Sequence, residues 1–228
     1  MERGKNTGLP IVNRIISLIL KAVVIASAVI GTGLSSSAGR RAFMGGSRSM
    51  MYFTIQSNIV IAIICAIGAV LLLRGKPVRT WWYVVKFVGT VAITLTGVVY
   101  CTMLAPLLGS YAWRLNNVLT HVVVPVAAVI DFFVTGEKGR IPRRSVLLVT
   151  VPPAAYAVYA GIGYMAKWEF SDGVHYPYFF LNWGSPAGAF GFTNGLPYMG
   201  CVWWILLIFL FLIGIGWLYL AVLDRIKS

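Results

Sequence analysis

The sequence predicts an all-α fold: a polytopic membrane protein with six transmembrane helices and both termini on the cytoplasmic side. Three observations carry that prediction. The chain has 228 residues, of which 59% are hydrophobic and only 11% charged. A water-soluble domain of this size cannot bury so much apolar surface. The apolar residues fall into six runs, each close to the roughly 20 residues that cross a hydrocarbon core. The cations, 19 Lys and Arg against 6 Asp and Glu, sit mainly in the connections between those runs. A nucleic-acid binder would gather them on a polar domain. Here they read as topology signals and as contacts to anionic lipid headgroups, so membrane lipids are expected partners and nucleic acid is not.

The whole chain, 1–228, reads as one bundle with no separate soluble domain. The first span is expected at about 15–34, with Arg14 at its start and Lys21 snorkelling back to that side. The Ser35-Ser36-Ser37-Ala38 sequence after it faintly resembles a signal-peptide end, but five further spans favour an uncleaved helix. A Gly-rich loop carries Arg40, Arg41 and Arg48. The second span, about 52–73, opens on Thr54, Gln56, Ser57 and Asn58 and is otherwise aliphatic. A tight basic turn, Arg74 to Arg79, leads to the interfacial aromatics Trp81, Trp82 and Tyr83. The third span, about 82–104, stops before Pro106 and carries Lys86 one turn in.

The fourth span, about 118–135, holds His121 near one end and Asp131 near the other. The basic loop 136–144 precedes a fifth span, about 145–166, in which Pro152-Pro153 should kink the helix. An aromatic, Gly- and Pro-rich connection runs from 167 to 199. Its length marks it as functional and its aromatics argue against disorder. The sixth span is about 200–222, with Gly214 and Gly216 permitting close helix approach. Cys65, Cys101 and Cys201 read as packed thiols, with no disulfide framework. No metal-ligand cluster, phosphate-binding loop or dinucleotide fingerprint is present, so no cofactor and no metal are expected.

Counting loop charges sets the orientation. With a cytoplasmic N-terminus, that side holds twelve cations: Arg3, Lys5, Arg14, Arg74, Lys76, Arg79, Lys138, Arg140, Arg143, Arg144, Arg225 and Lys227. The other side holds five: Arg40, Arg41, Arg48, Arg114 and Lys167. The excess favours N-in and C-in. Thr54 and His121 then both lie about 3–5 Å inside their spans on the non-cytoplasmic side, beneath the long aromatic loop. Asn58 shares a helix face with Thr54, where it could orient a substrate carbonyl or simply bond across helices, and Asn117 bears the same relation to His121. Asp131 lies about 15 Å deeper than His121, too far to orient it, and is expected to pair with Lys86. Glu169 or Asp172 could orient His121 only if the long loop folds inward. His175, in that loop, reads as solvated.

A threonine in such a helix usually bonds a preceding carbonyl, and a histidine can simply join two helices. Intramembrane ionisable groups are nevertheless rare and mark function by default, which singles out His121. Three readings stay open: a hydrolase with a blind pocket on the outer side, a transporter, channel or lipid receptor with a polar path through the bundle, and a scaffold with no enclosed site.

Three patches point further: Phe53-Thr54-Ile55-Gln56-Ser57-Asn58, His121 followed by Val124-Pro125 and Asp131, and Tyr176-Pro177-Tyr178-Phe179. Together they resemble the androgen-induced membrane proteins, intramembrane threonine hydrolases that cleave fatty acid esters of hydroxy fatty acids. The likeness extends to their prokaryotic six-span relatives, over about 51–220. The turn between the second and third spans is shorter than in the animal members, and the cationic balance differs. The resemblance implies a lipid ester substrate, Thr54 as nucleophile and His121 as its base, in a bacterial inner membrane. Asn58 is then the expected oxyanion donor, with Asn117, Tyr176 and Tyr178 against the substrate.

Overall fold

A computed structural model describes residues 9–37, 46–75 and 78–226. The chain is a polytopic membrane bundle, with six helices among the described residues that are each long and apolar enough to cross a bilayer. They are α1 (Ile11–Ser37), α2 (Phe53–Arg74), α3 (Thr80–Trp113), α4 (Leu115–Thr135), α5 (Arg143–Met165) and α6 (Cys201–Ile226). Among the described residues there is no strand, only two isolated bridges in the loop before α6. Arg3, Lys5, Arg40, Arg41, Lys76 and Lys227, six of the charges counted for orientation, lie outside the described residues.

The helix starts and stops follow local chemistry. α2 closes at Gly75, whose φ of 62° is left-handed and whose N–H reaches Leu72 O; glycine takes that conformation without a Cβ clash. α3 runs past the expected stop at Pro106. A π-helical turn, Tyr100–Leu104, precedes that proline. A second one, Leu119–Val123, precedes Pro125 in α4. Proline supplies no N–H and crowds the carbonyl four residues back, and a wider turn re-registers the helix around both defects. The pair Pro152-Pro153 marks a change of helix type within α5: it stands in the first α-helical turn, Val151 onward, after a 3-10 stretch at Arg143–Thr150.

Close helix approach rests on small residues, since lipid tails offer no hydrophobic driving force between helices. A Cβ on Gly31 of α1 would meet Thr120 Cγ2 at 2.7 Å, and one on Gly97 of α3 would meet His121 O at 2.9 Å. α4 is thereby held tightly between α1 and α3 at the level of His121. Gly216 packs near Val146 and Phe87, whereas Gly214 faces open space and makes no close crossing.

The opposite end of α4 carries a charge cluster. Asp131 is fully buried and pairs with Lys86 at 2.6 Å, as expected. Lys21 does not snorkel to the surface. It turns inward and meets Asp131 at 2.6 and 2.8 Å and Ser17 Oγ at 2.6 Å. Ser17 Oγ also donates to Asp131 at 2.5 Å, and Lys86 donates to Asp131 O and to Thr135 Oγ1. An ammonium inside a bundle is stabilised more by a carboxylate and hydroxyls than by stretching toward distant water. Gly68 leaves the room, because a Cβ there would stand 2.9 Å from Lys21 Cε.

Candidate functional site

The other end of the bundle is built on the first turn of α2. Tyr52 precedes the helix in an extended conformation and makes no side-chain cap. Its hydroxyl instead donates to Phe170 O at 2.9 Å, and Tyr156 of α5 donates to Met51 O at 3.0 Å. These bonds bring the loop after α5 down onto the start of α2. Tyr178 of that loop then meets Thr54 twice. The Thr54 N–H, an orphan first-turn donor, reaches the phenol oxygen at 3.3 Å, and Thr54 Oγ1 lies 3.4 Å from it. Burial holds the Tyr178 phenol above its usual pKa, so it stays protonated and keeps an O–H to donate.

A narrow cleft opens beside this pair, between α2, α3, α5, α6 and the loop. Its polar wall includes Thr54, Thr96, Tyr100, Tyr156 and Tyr178. Leu95, Val99, Ala157, Ile208 and Phe209 are among its apolar lining. A few polar groups at one place in an apolar cleft suit a ligand that is mostly hydrocarbon.

His121 is buried in the π-helical turn of α4. Its Nδ1 lies 3.0 Å from both Asn117 O and Thr120 Oγ1. A carbonyl can only accept, and the Thr120 hydroxyl proton goes to Asn116 O at 2.8 Å. The proton of the imidazole therefore belongs on Nδ1 and the lone pair on Nε2. That Nε2 is buried without a hydrogen-bond partner among the described residues. The ring stacks on Tyr100, with centroids 3.7 Å apart and planes at 19°.

Thr54 and His121 are neighbours in the lateral sense. The Asn58 amide nitrogen donates to Thr54 O at 2.8 Å and to Thr120 O at 3.1 Å, so a single side chain ties the two backbones together. Tyr100 makes a second link, touching the imidazole on one side and lining the cleft with Thr54 on the other. No hydrogen bond joins Thr54 to His121 among the described residues, and His121 is not part of the cleft wall.

Several expected roles change. Asn58 has both amide protons committed to backbone carbonyls, which leaves none for an oxyanion; its Oδ1 is the unpaired atom. Asn117 serves His121 through its carbonyl, while its side chain donates to Tyr111 O. Tyr176 is half-buried and outside the cleft wall. Glu169 and Asp172 do not reach His121. Both close on Arg48, each at 2.5 Å, because a guanidinium fork satisfies two carboxylates at the surface. His175 Nδ1 lies 3.2 Å from Trp168 O. Tyr100, Tyr156 and Thr96 were not singled out by sequence. Tyr100 had a usable signal: it lies six residues before Pro106, in a second wide turn like the one that holds His121. The chain matches no family model, no curated protein and no solved structure.

Proposed function

We propose that this protein is a membrane-embedded hydrolase of lipid esters, with Thr54 as nucleophile and His121 as general base. The observation that carries the reading is the buried imidazole with a free Nε2 lone pair, tied through Asn58 and Tyr100 to a hydroxyl in an apolar cleft. The resemblance to the androgen-induced family supports the same assignment. The acyl chain lies along Leu95, Val99, Ile208 and Phe209, with its ester carbonyl at Thr54. Thr54 Oγ1 attacks that carbonyl while its proton passes to His121 Nε2. The imidazolium returns the proton to the departing alcohol oxygen, leaving an acyl-threonine. Water, deprotonated in turn by Nε2, then releases the free acid and restores the hydroxyl.

Proton transfer needs Thr54 Oγ1 and Nε2 within about 2.6–3.2 Å, a contact that tightens when substrate fills such sites. The Tyr178 phenol is the donor for the developing oxyanion, in place of Asn58. The twelve-to-five cation excess supports a site near the non-cytoplasmic face, and the resemblance supports a bacterial inner membrane. The test is turnover of fatty acid esters by the full chain in lipid nanodiscs, together with labelling by a fluorophosphonate. Thr54→Ala and His121→Ala should each lower turnover by roughly 100- to 10,000-fold and abolish labelling. Folded variants that retain full turnover of every ester the parent cleaves would defeat the proposal.

A further inference from the structure

The loop before α6 ends in a hairpin whose backbone and side chains point to opposite conclusions about water. Its backbone is partly closed on itself. Thr193 N donates to Tyr198 O and Gly200 N to Gly191 O, both at 2.8 Å. Cys201 N and Val202 N, first-turn donors of α6, reach Gly188 O and Ala189 O at 3.1 Å. Gly200 is required at that contact, because a Cβ would fall 2.2 Å from Ala189 O. Two indoles add to the closure: Trp203 donates to Phe190 O at 2.8 Å and Trp204 to Pro197 O at 2.9 Å. The side chains face outward. Phe190 is 63% exposed, Phe192 73%, Leu196 48% and Tyr198 54%. Phe190 and Phe192 also pack on Trp203, at 6.2 and 6.3 Å between centroids. They form an ordered apolar ridge, not a loose tip.

Charge and continuity identify what covers this ridge. Residues 173–223 contain no Asp, Glu, Lys or Arg, whereas a solvated surface of that extent normally carries them. The ridge also runs on into the outward face of α6, where Leu206, Leu207 and Leu210 are exposed and meet lipid in any membrane-spanning arrangement. Irregular backbone is costly in a bilayer because its polar groups lack partners; here the hairpin pairs part of its own, through Gly191, Thr193, Tyr198 and Gly200 and the two indoles, and at the headgroup boundary the rest meets water and headgroups. Aromatic side chains favour the headgroup boundary.

We infer that the 188–200 hairpin is immersed in the bilayer at the headgroup–acyl boundary, on the leaflet at the Thr54 end, with Phe190 and Phe192 among the acyl chains. Lipid, and not water, then flanks the cleft wall: Trp204, bonded to the hairpin, packs on Phe180, which lines the cleft. This inference stands apart from the hydrolase reading.

The test uses the full chain in phosphatidylcholine–phosphatidylglycerol nanodiscs. Spin labels go on Phe190→Cys and Phe192→Cys in a Cys101→Ser background, with Lys138→Cys in a surface loop as aqueous reference. Power saturation compares dissolved oxygen with a water-soluble nickel chelate. The expected oxygen-to-nickel ratio is several-fold above the Lys138→Cys value at both hairpin positions. A ratio equal to the reference overturns the proposal. So does protection from both reagents with dipolar broadening between labels, which would mean that a second copy covers the ridge. As a label-free check, acyl-brominated lipid should quench the parent protein more than its Trp203→Phe variant; equal quenching counts against immersion.

Discussion

The two ends of α4 solve the problem of a polar group inside a bundle in opposite ways. At the Asp131 end, one carboxylate, two ammonium groups and two hydroxyls satisfy one another. At the His121 end there is no ion pair inside the bundle among the described residues, yet polar atoms go unpaired. Among the described residues, the five buried side-chain polar atoms without partners are on Thr32, Asn58, His121, Trp183 and Ser185. All five belong to that end or to the loop above it. A saturated network has nothing left to offer a ligand and serves to hold helices. An unsaturated one keeps lone pairs and donors in reserve, at a cost of about 1–3 kcal/mol for each unmet group. The contrast teaches where binding free energy can come from: the charged end is the brace and the neutral end is the candidate site.

The comparison is broken most directly at the brace. Asp131→Ala leaves two buried ammonium groups without a counter-charge, and should cost on the order of 3–5 kcal/mol. Thermal unfolding in detergent should show the loss. Replacing Lys21, Lys86 and Asp131 together by Met, Met and Leu should recover most of it. If Asp131→Ala unfolds at the parent temperature, the cluster is no brace. His121→Ala should act the other way round. It removes no counter-charge, so unfolding should shift far less than in Asp131→Ala while ester turnover collapses. A variant that unfolds as readily as Asp131→Ala would make His121 a structural residue instead.

Smaller effects sharpen the same contrast. Gly97→Ala puts a methyl 2.9 Å from His121 O and 3.2 Å from Pro125. Overpacking there should cost about 1–3 kcal/mol and part Tyr100 from the imidazole, lowering turnover more than stability. Equal turnover at reduced stability would show that the stacking is dispensable. Arg48→Ala should leave the unfolding temperature nearly unchanged, because its ion pairs are solvent-exposed and screened. Its effect should be local: faster amide exchange over 168–174, with the bundle unaltered. Unchanged exchange there would mean that Tyr52 alone anchors the loop.

The six apolar runs were legible because a span needs only length and apolarity, both linear properties of the chain. Thr54 and His121 were legible as unusual residues in those runs, and Tyr178 through the Tyr-Pro patch of the long loop. Lys21 and Pro106 were misread, and Asn58 took the plainer of its two readings, a bond across helices, each for a local reason. An amide's spare protons depend on which carbonyls come within reach, here Thr54 O and the distant Thr120 O. A lysine snorkels only when no buried carboxylate is closer, and Asp131 is 110 residues away in sequence. A proline ends a helix only where a wide turn does not absorb it. The stacking of Tyr100 on His121 was invisible, since it joins two wide turns in separate helices.

By itself, then, the sequence determined that this chain crosses a membrane as helices, since hydrocarbon leaves no other way to satisfy an unbroken apolar backbone of that length. It also marked which few polar side chains had to be accommodated. Only the tertiary structure decided how they are accommodated. Lys21 and Lys86 share one aspartate, Tyr178 comes down onto Thr54, and His121 is left with a lone pair that nothing takes up. Partners of that kind are chosen by the crossing of helices that are far apart along the chain, and small residues such as Gly31, Gly68 and Gly97 set how close those crossings come.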